Sequence, residues 1–294
     1  MAVAILPMAI VAKDFHRTTS GCANNFKKNC AKQGNHRAQI HNFFVILKFS
    51  PIAIFKIMIK RINLEHILFL DIETVPQHEN YDELDDISKT LWELKSQYQR
   101  KDEISAEAFY ERAGIWAEFG KIVCISVGYF VLKGDVRNFR VTSFHGDEIK
   151  ILKEFKNLLE THFNKPQHLL CAHNGKEFDF PYIARRMLIN RIGIPFKLDL
   201  FGKKPWEVPH LDTLELWKFG DYKTFTSLKL MAHVLGIPSP KEDIDGSQVR
   251  QVFYAENNID RIITYCEKDT ITVAQIFLRL RNEEILDESE ILSV

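Results

Sequence analysis

The sequence predicts an α/β layered domain, a sheet flanked by helices, and two observations predict it. After residue 65, short apolar runs of strand length alternate with segments whose apolar residues recur every three to four positions. The 294 residues are 46% apolar, 27% charged and 12% aromatic, a composition that supports a sizeable core and excludes a fibrous or wholly disordered chain.

His66 to Thr74 is the expected first strand, an apolar run too short for a helix. From about Asp82 to Glu118 the pattern turns polar and helical, with Leu84, Leu91, Leu94, Phe109 and Trp116 as its apolar positions, so a helical insert is expected at about 82–118. Lys121–Leu132 and Val136–Phe144 read as two strands joined by a tight turn at Gly134-Asp135. Gly146–Phe163 carries Ile149, Leu152, Phe155, Leu158 and Leu159 at amphipathic spacing, and Leu169–His173 is the next strand. A helix is expected from about Pro181, a fifth strand over His210–Trp217, a helix over Ser227–Leu235, and a long closing helix over Asn258–Leu280.

Residues 1–57 show no helical or strand period and hold eight Lys or Arg and one acid, leaving 31 basic and 38 acidic residues of 39 each for the rest. The expectation is a disordered or non-native extension, with the folded domain spanning 58–294 from near Met58. No basic residue precedes the apolar Ala2–Ala12 stretch, and Lys48, Pro51 and Lys56 break the run from Phe43 to Ile59, so neither a secretory signal nor a membrane span is expected. Cys22, Cys30, His36 and His41 miss the spacing of a zinc finger. The five cysteines form no C-x-x-C pair, and Cys124, Cys171 and Cys266 lie in apolar runs where a thiol acts as a small hydrophobe, which points to a reducing, cytoplasmic setting.

The chemistry-bearing residues fall in three places. Asp71 and Glu73 are two apart on the first strand, so both project from one face of an otherwise apolar run, where they lose hydration and repel each other unless a cation compensates. Asp179 closes the run His173-Asn174-Gly175-Lys176-Glu177-Phe178-Asp179 between a strand and a helix; an ordinary N-cap accounts for it if it is taken alone. Tyr265 and Asp269 are four apart on the closing helix and flank its apolar stripe. Asp212 in HLDTLELW is a candidate supporting acid, whereas Asp243 and Asp245 read as turn residues.

Taken together, FLDIETVP, HNGKEFDFPYIARR, the run from Leu216 to Val249 and YCEKD resemble the DEDDy 3′-5′ exonucleases related to the proofreading domain of family B DNA polymerases. The resemblance runs from Ile67 to Leu280. It implies an RNase H-like (DnaQ-like) fold with a five-stranded mixed sheet flanked by helices. It also implies that Asp71, Glu73, Asp179 and Asp269 hold two divalent cations, Mg²⁺ or Mn²⁺, while Tyr265 orients the attacking water. The implied substrate is a nucleic acid, a DNA 3′ end or an RNA one, with a separate polymerase or repair partner for any proofreading. Asn174, Lys176, Phe178 and Arg185 are the expected nucleic-acid contacts, with Arg186, Lys203, Lys204, Lys223, Lys229 and Trp206 as further candidates. Two rivals are an exoribonuclease of the same superfamily and a catalytically silent nucleic-acid-binding module.

Overall fold

The computed structural model describes residues 59–100, 104–134, 136–221, 223–238 and 243–294. The expected N-terminal extension, its Cys/His cluster and Asp135 of the predicted turn lie outside the described residues.

The first strand, β1 (Ile67–Pro76), has its alternate side chains on different cores. Leu68, Leu70 and Ile72 join the larger cluster with the helix α3 (Glu148–Thr161) and the helix α4 (Asp179–Ile189). Ile67 and Phe69 face the closing helix α8 (Ile259–Leu280) instead, where three edge-on phenylalanine contacts surround Phe69. Successive residues of a strand alternate faces, so this registers Asp71 and Glu73 on the α8 side.

The sheet is mixed. β1 pairs antiparallel with β2 (Gly120–Lys133), which pairs antiparallel with β3 (Val136–His145); on the other side β4 (Leu169–Ala172) and β5 (Leu211–Asp212) run parallel to β1. These five are the expected sheet. A sixth strand, β6 (Ile291–Ser293), adds parallel to β3 and gives the order β5-β4-β1-β2-β3-β6, so the five-strand count is corrected to six. Three residues carry too little pattern to be seen in a sequence. What holds β6 is Arg137 on β3, whose guanidinium is clamped to both carboxylate oxygens of Glu290 at 2.9 Å.

The predicted fifth strand is also shorter than expected. Asp212 caps the helix α5 (Thr213–Lys218) by accepting from the Leu214 and Glu215 amides, and so turns an extended run into a helix after two residues. Residues 81–119 hold α1 (Asp86–Ser96), α2 (Ala106–Phe109) and a 3₁₀ turn at Tyr110–Ile115, built around Trp92. Its indole donates to the Ala106 carbonyl at 2.7 Å and its ring packs among Phe109, Tyr110, Trp116 and Phe119. Leu91 and Leu94, read as apolar positions of this segment, point to solvent at 53% and 55% exposure. The helices α6 (Leu228–Val234) and α7 (Val249–Tyr254) complete the α8 side, α7 being one that no sequence signal marked. Among the described residues no helix is long and apolar enough to cross a membrane.

Candidate active site

Three elements deliver the acids. In β1 the pairing to β2 shifts register between Glu73 and Thr74, a bulge immediately after the second carboxylate. Bulges bend a strand and re-aim its side chains, and here the bend falls directly after the charged pair. Glu73 is buried at 8% exposure. Asp71 keeps part of its surface open, yet its carboxyl is pushed well above the usual range. The causes are desolvation first, then the charges of Asp269, Glu73 and Asp179. Glu73 is raised in the same way, by burial and then by Asp269, Cys124 and Asp179.

Asp179 is not a helix cap. It is the first residue inside α4, the preceding Phe178 makes no side-chain cap, and the Asp179 carboxyl is buried at 3% exposure. Burial lifts its pKa to about 8, with its own amide and that of Ile72 pulling the other way and Asp212 adding to the rise. Asp212 organises the approach to it: its two carboxylate oxygens each accept an amide at 3.0 Å, from Asn174 and from Lys176. Those bonds hold the turn in which Asn174 adopts a left-handed φ of 62°, a conformation that Asn tolerates better than most residues. The same carboxylate caps α5, so one buried acid fixes both segments.

α8 supplies the third side. Ile262, Cys266, Thr270, Val273 and Phe277 are buried against the sheet, while Tyr265 and Asp269 stand at the edge of that face. The Tyr265 hydroxyl is hydrogen bonded to the Asp269 carboxylate. Its pKa is driven far up by burial and by the charges of Asp269, Glu73 and Asp71, so it is held as a protonated donor. Gly246 borders it: a Cβ there would lie 3.9 Å from the Tyr265 oxygen.

Cys266 is a site neighbour that the sequence reading took for core filler. Its Sγ lies 3.4 Å from both the Asp71 carbonyl and Oδ2, and ligand atoms of Asp71, Glu73 and Cys266 all fall within 4.8 Å of one another. Position 266 follows Tyr265 directly on the helix, which is the one signal that could have found it. His173 was likewise passed over. Its ring is fixed between Thr213 Oγ1 and the Thr226 carbonyl, both at 2.9 Å.

The expected nucleic-acid contacts are dispersed around this cleft. Asn174 and Phe178 are half-buried, Phe178 leaning on Tyr182 with ring centroids 5.3 Å apart, and Arg185 is exposed. The Lys176 ammonium is engaged by Glu215 at 2.5 Å. Arg186 is removed from the phosphate candidates: its guanidinium is enclosed, clamped on Glu148 and the Ala117 carbonyl, because its position on α4 faces the core. Lys203, Lys204, Lys223 and Lys229 are exposed, and so is Trp206, with the Lys204 ammonium over its ring.

With the geometry in place, comparison with known proteins gives a family. Residues 115–290, more than half of the chain, match the family described as predicted 3′-5′ exonucleases related to the exonuclease domain of PolB. The chain belongs to this family. The matched stretch includes Asp179, Tyr265 and Asp269 and begins after Asp71 and Glu73. No curated protein matches the chain. Among solved structures, the family B DNA polymerase from the hyperthermophilic archaeon Pyrobaculum calidifontis is similar at 14% identity and a TM-score of 0.43, over 72% of this chain and 24% of that polymerase. The chain thus spans about a quarter of the polymerase it matches.

The donor set fits hard divalent cations. Carboxylate oxygens are the ligands that Mg²⁺ and Mn²⁺ prefer, and carboxyls buried together are stabilised as carboxylates by a cation more than by any other group.

Proposed function

We propose that this chain is a metal-dependent 3′-5′ exonuclease that hydrolyses the terminal phosphodiester of single-stranded DNA, with Asp71, Glu73, Asp179 and Asp269 holding two Mg²⁺ or Mn²⁺ ions. One observation carries the reading: three separate backbone segments bring these acids near enough that the charges of Asp269 and Asp179 raise the proton affinity of Asp71 and Glu73. An arrangement that costs folding energy in isolation is retained where a ligand repays it.

When bound, two such cations would neutralise charge on the phosphoryl oxygens and make a water more acidic. The chain's own groups do the rest. Asp71 and Glu73 occupy one strand face and fix the ligand set against a rigid sheet. Asp179 closes it from the α4 start, where Asp212 holds the approaching turn. Tyr265, kept protonated and donating to Asp269, accepts a hydrogen bond from the attacking water at its remaining lone pair and so orients it without taking its proton. Addition of water across the terminal phosphodiester releases a nucleoside 5′-monophosphate and leaves a new 3′-hydroxyl on the shortened strand. A separate polymerase or repair protein would be the partner for proofreading, and a reducing compartment suits the three buried free thiols.

Digestion of end-labelled oligonucleotides tests this, with DNA and RNA of the same sequence and with Mg²⁺, Mn²⁺ or EDTA. The expected result is stepwise shortening from the 3′ end that needs the metal and stops in Asp71→Ala and Asp179→Ala. A preference for RNA turns the assignment into the exoribonuclease alternative. Binding without cleavage in any metal establishes the silent module instead.

A further inference from the structure

The loop between α5 and α6 does something unusual for a short connection: it displays two large aromatic rings to water. Phe219 is 65% exposed and Phe225 67% exposed, with Lys223 exposed between them. Its described residues are nonetheless tied down locally. Asp221 accepts from the Lys223 amide at 2.9 Å and from the Thr224 hydroxyl at 2.7 Å, and Ser227 caps α6. Phe219 is held at a left-handed φ of 44°, an outlier for a bulky side chain, with Gly220 beside it at 93°.

This loop is joined to the acidic cleft. His173 donates or accepts at Thr213 with Nδ1 and donates from Nε2 to the Thr226 carbonyl, and its ring meets Phe225 edge-on at 6.5 Å. His173 directly precedes Asn174, the start of the turn that leads to Asp179. At the other end of the loop, Asp245 is held below the usual carboxylate range by Ser247, with Lys229 of α6 contributing. Asp245 adjoins Gly246, which borders the Tyr265 hydroxyl. Through His173 the loop touches the segment that delivers Asp179, and α6, which it enters, carries the Lys229 charge felt beside the glycine that borders Tyr265.

We propose that Phe225, supported by Phe219 and Lys223, is a stacking platform for unpaired bases near the 3′ end of the strand held at the carboxylates. The inference rests on the exonuclease reading and deepens it by naming the side chains that hold the unpaired strand. An aromatic face accepts any base, since every base has a π-face, and a neighbouring ammonium follows the phosphate backbone. Bases already paired and stacked in a duplex cannot lie on it. A ring fixed in advance by His173 and the loop's own bonds loses little entropy when a base arrives.

The test compares wild type with Phe225→Ala and Phe225→Trp on an unstructured oligothymidylate. Steady-state cleavage is measured with Mg²⁺ or Mn²⁺, and fluorescence anisotropy of the same labelled oligonucleotide is followed in EDTA. Phe225→Ala is expected to raise KM and Kd about tenfold, the low end for loss of one stacked base, while kcat stays within about twofold and Phe225→Trp restores binding. Single abasic positions walked back from the 3′ end supply the readout that a merely structural role would not move. Wild type should lose about tenfold at one or two positions, and Phe225→Ala should lose nothing further there. An unchanged KM and Kd in Phe225→Ala, or an abasic penalty equal in both proteins, overturns the platform. If wild type binds but never cleaves, the exonuclease reading fails while the anisotropy arm still decides the platform; if wild type does not bind at all, the platform is overturned.

Discussion

Glu148 and Arg186 bury opposite charges against each other between α3 and α4, whereas Asp71, Glu73 and Asp179 bury like charges together beside α8. In the first region every polar atom is used. The Arg186 guanidinium meets both Glu148 oxygens at 2.8 and 2.5 Å and the Ala117 carbonyl at 2.9 Å, and Glu148 also accepts from the Ile122 amide and from Asn190. In the second region burial raises all three carboxyls, Asp269 and Asp179 add to the rise at Asp71 and Glu73, and the partners that offset it are amides at Asp179 and the Cys266 thiol at Asp71, with no cationic side chain among the causes. The two regions are about equally enclosed. Burial of charge therefore says little by itself; the sign of the neighbouring charges separates a structural clamp from a like-charge cluster of the kind a cation would stabilise.

The contrast is broken most directly by removing one charge from each region. Asp71→Ala or Asp179→Ala should lower hydrolysis by more than about 100-fold, beyond what loss of a residue behind a metal ligand costs, with the protein still folded. In EDTA its melting temperature should equal or exceed that of wild type, because a repulsion has been relieved. Magnesium-dependent activity that survives both substitutions sinks the ligand assignment.

Arg186→Ala should do the reverse. It leaves Glu148 buried and unpaired, so equilibrium denaturation should show a loss of about 3–5 kcal/mol, with turnover per folded molecule retained. A loss below about 1 kcal/mol would put this pair in the class of weak surface bridges.

A third buried ionisable group sharpens the comparison because it is kept neutral. His210 accepts from the Leu170 amide and donates to the Lys197 carbonyl, and burial, above all, lowers its pKa from 6.5 to about 4. The folded state thus binds fewer protons than the unfolded one between these values, and stability rises with pH across that window. Acidification from pH 6.5 to 4 should cost up to about 3 kcal/mol from this group, a slope that His210→Gln flattens in denaturant titrations at several pH values.

The smallest effect concerns ligand binding alone. Mg²⁺ or Mn²⁺ at about 100 times its dissociation constant should stabilise wild type by about 2.7 kcal/mol, and Asp179→Ala far less. Equal shifts in the two proteins, followed by calorimetry, would place the cation elsewhere.

Much of the fold was readable where apolar periodicity is strong. Strands β1 to β4 and helices α3, α4, α6 and α8 fall within a few residues of expectation. The failures have physical causes. β5 ends after two residues because the Asp212 side chain outcompetes strand pairing for the next amides, a local effect that the extended-looking HLDTLELW pattern hides. β6 depends on a partner more than 150 residues away in sequence, the clamp of Arg137 on Glu290. Leu91 and Leu94 lost their inward place to Trp92 because apolar residues on two faces of α1 give the same three-to-four spacing, and only the surrounding rings choose between them.

The sequence by itself determined the candidate residues and their order: the β1 pair, the acid at the strand-to-helix junction, and the tyrosine and acid four apart on the last long helix. Local rules suffice there, since strand alternation and helical pitch put each pair on one side of its element. Only the tertiary structure decided that the three pieces meet, that Asp179 is a buried acid and not a cap, that Cys266 belongs to the surroundings, and which amides Asp212 holds. Those facts depend on contacts between residues far apart in the chain and on the desolvation they create together, and neither quantity is a property of any local stretch of sequence.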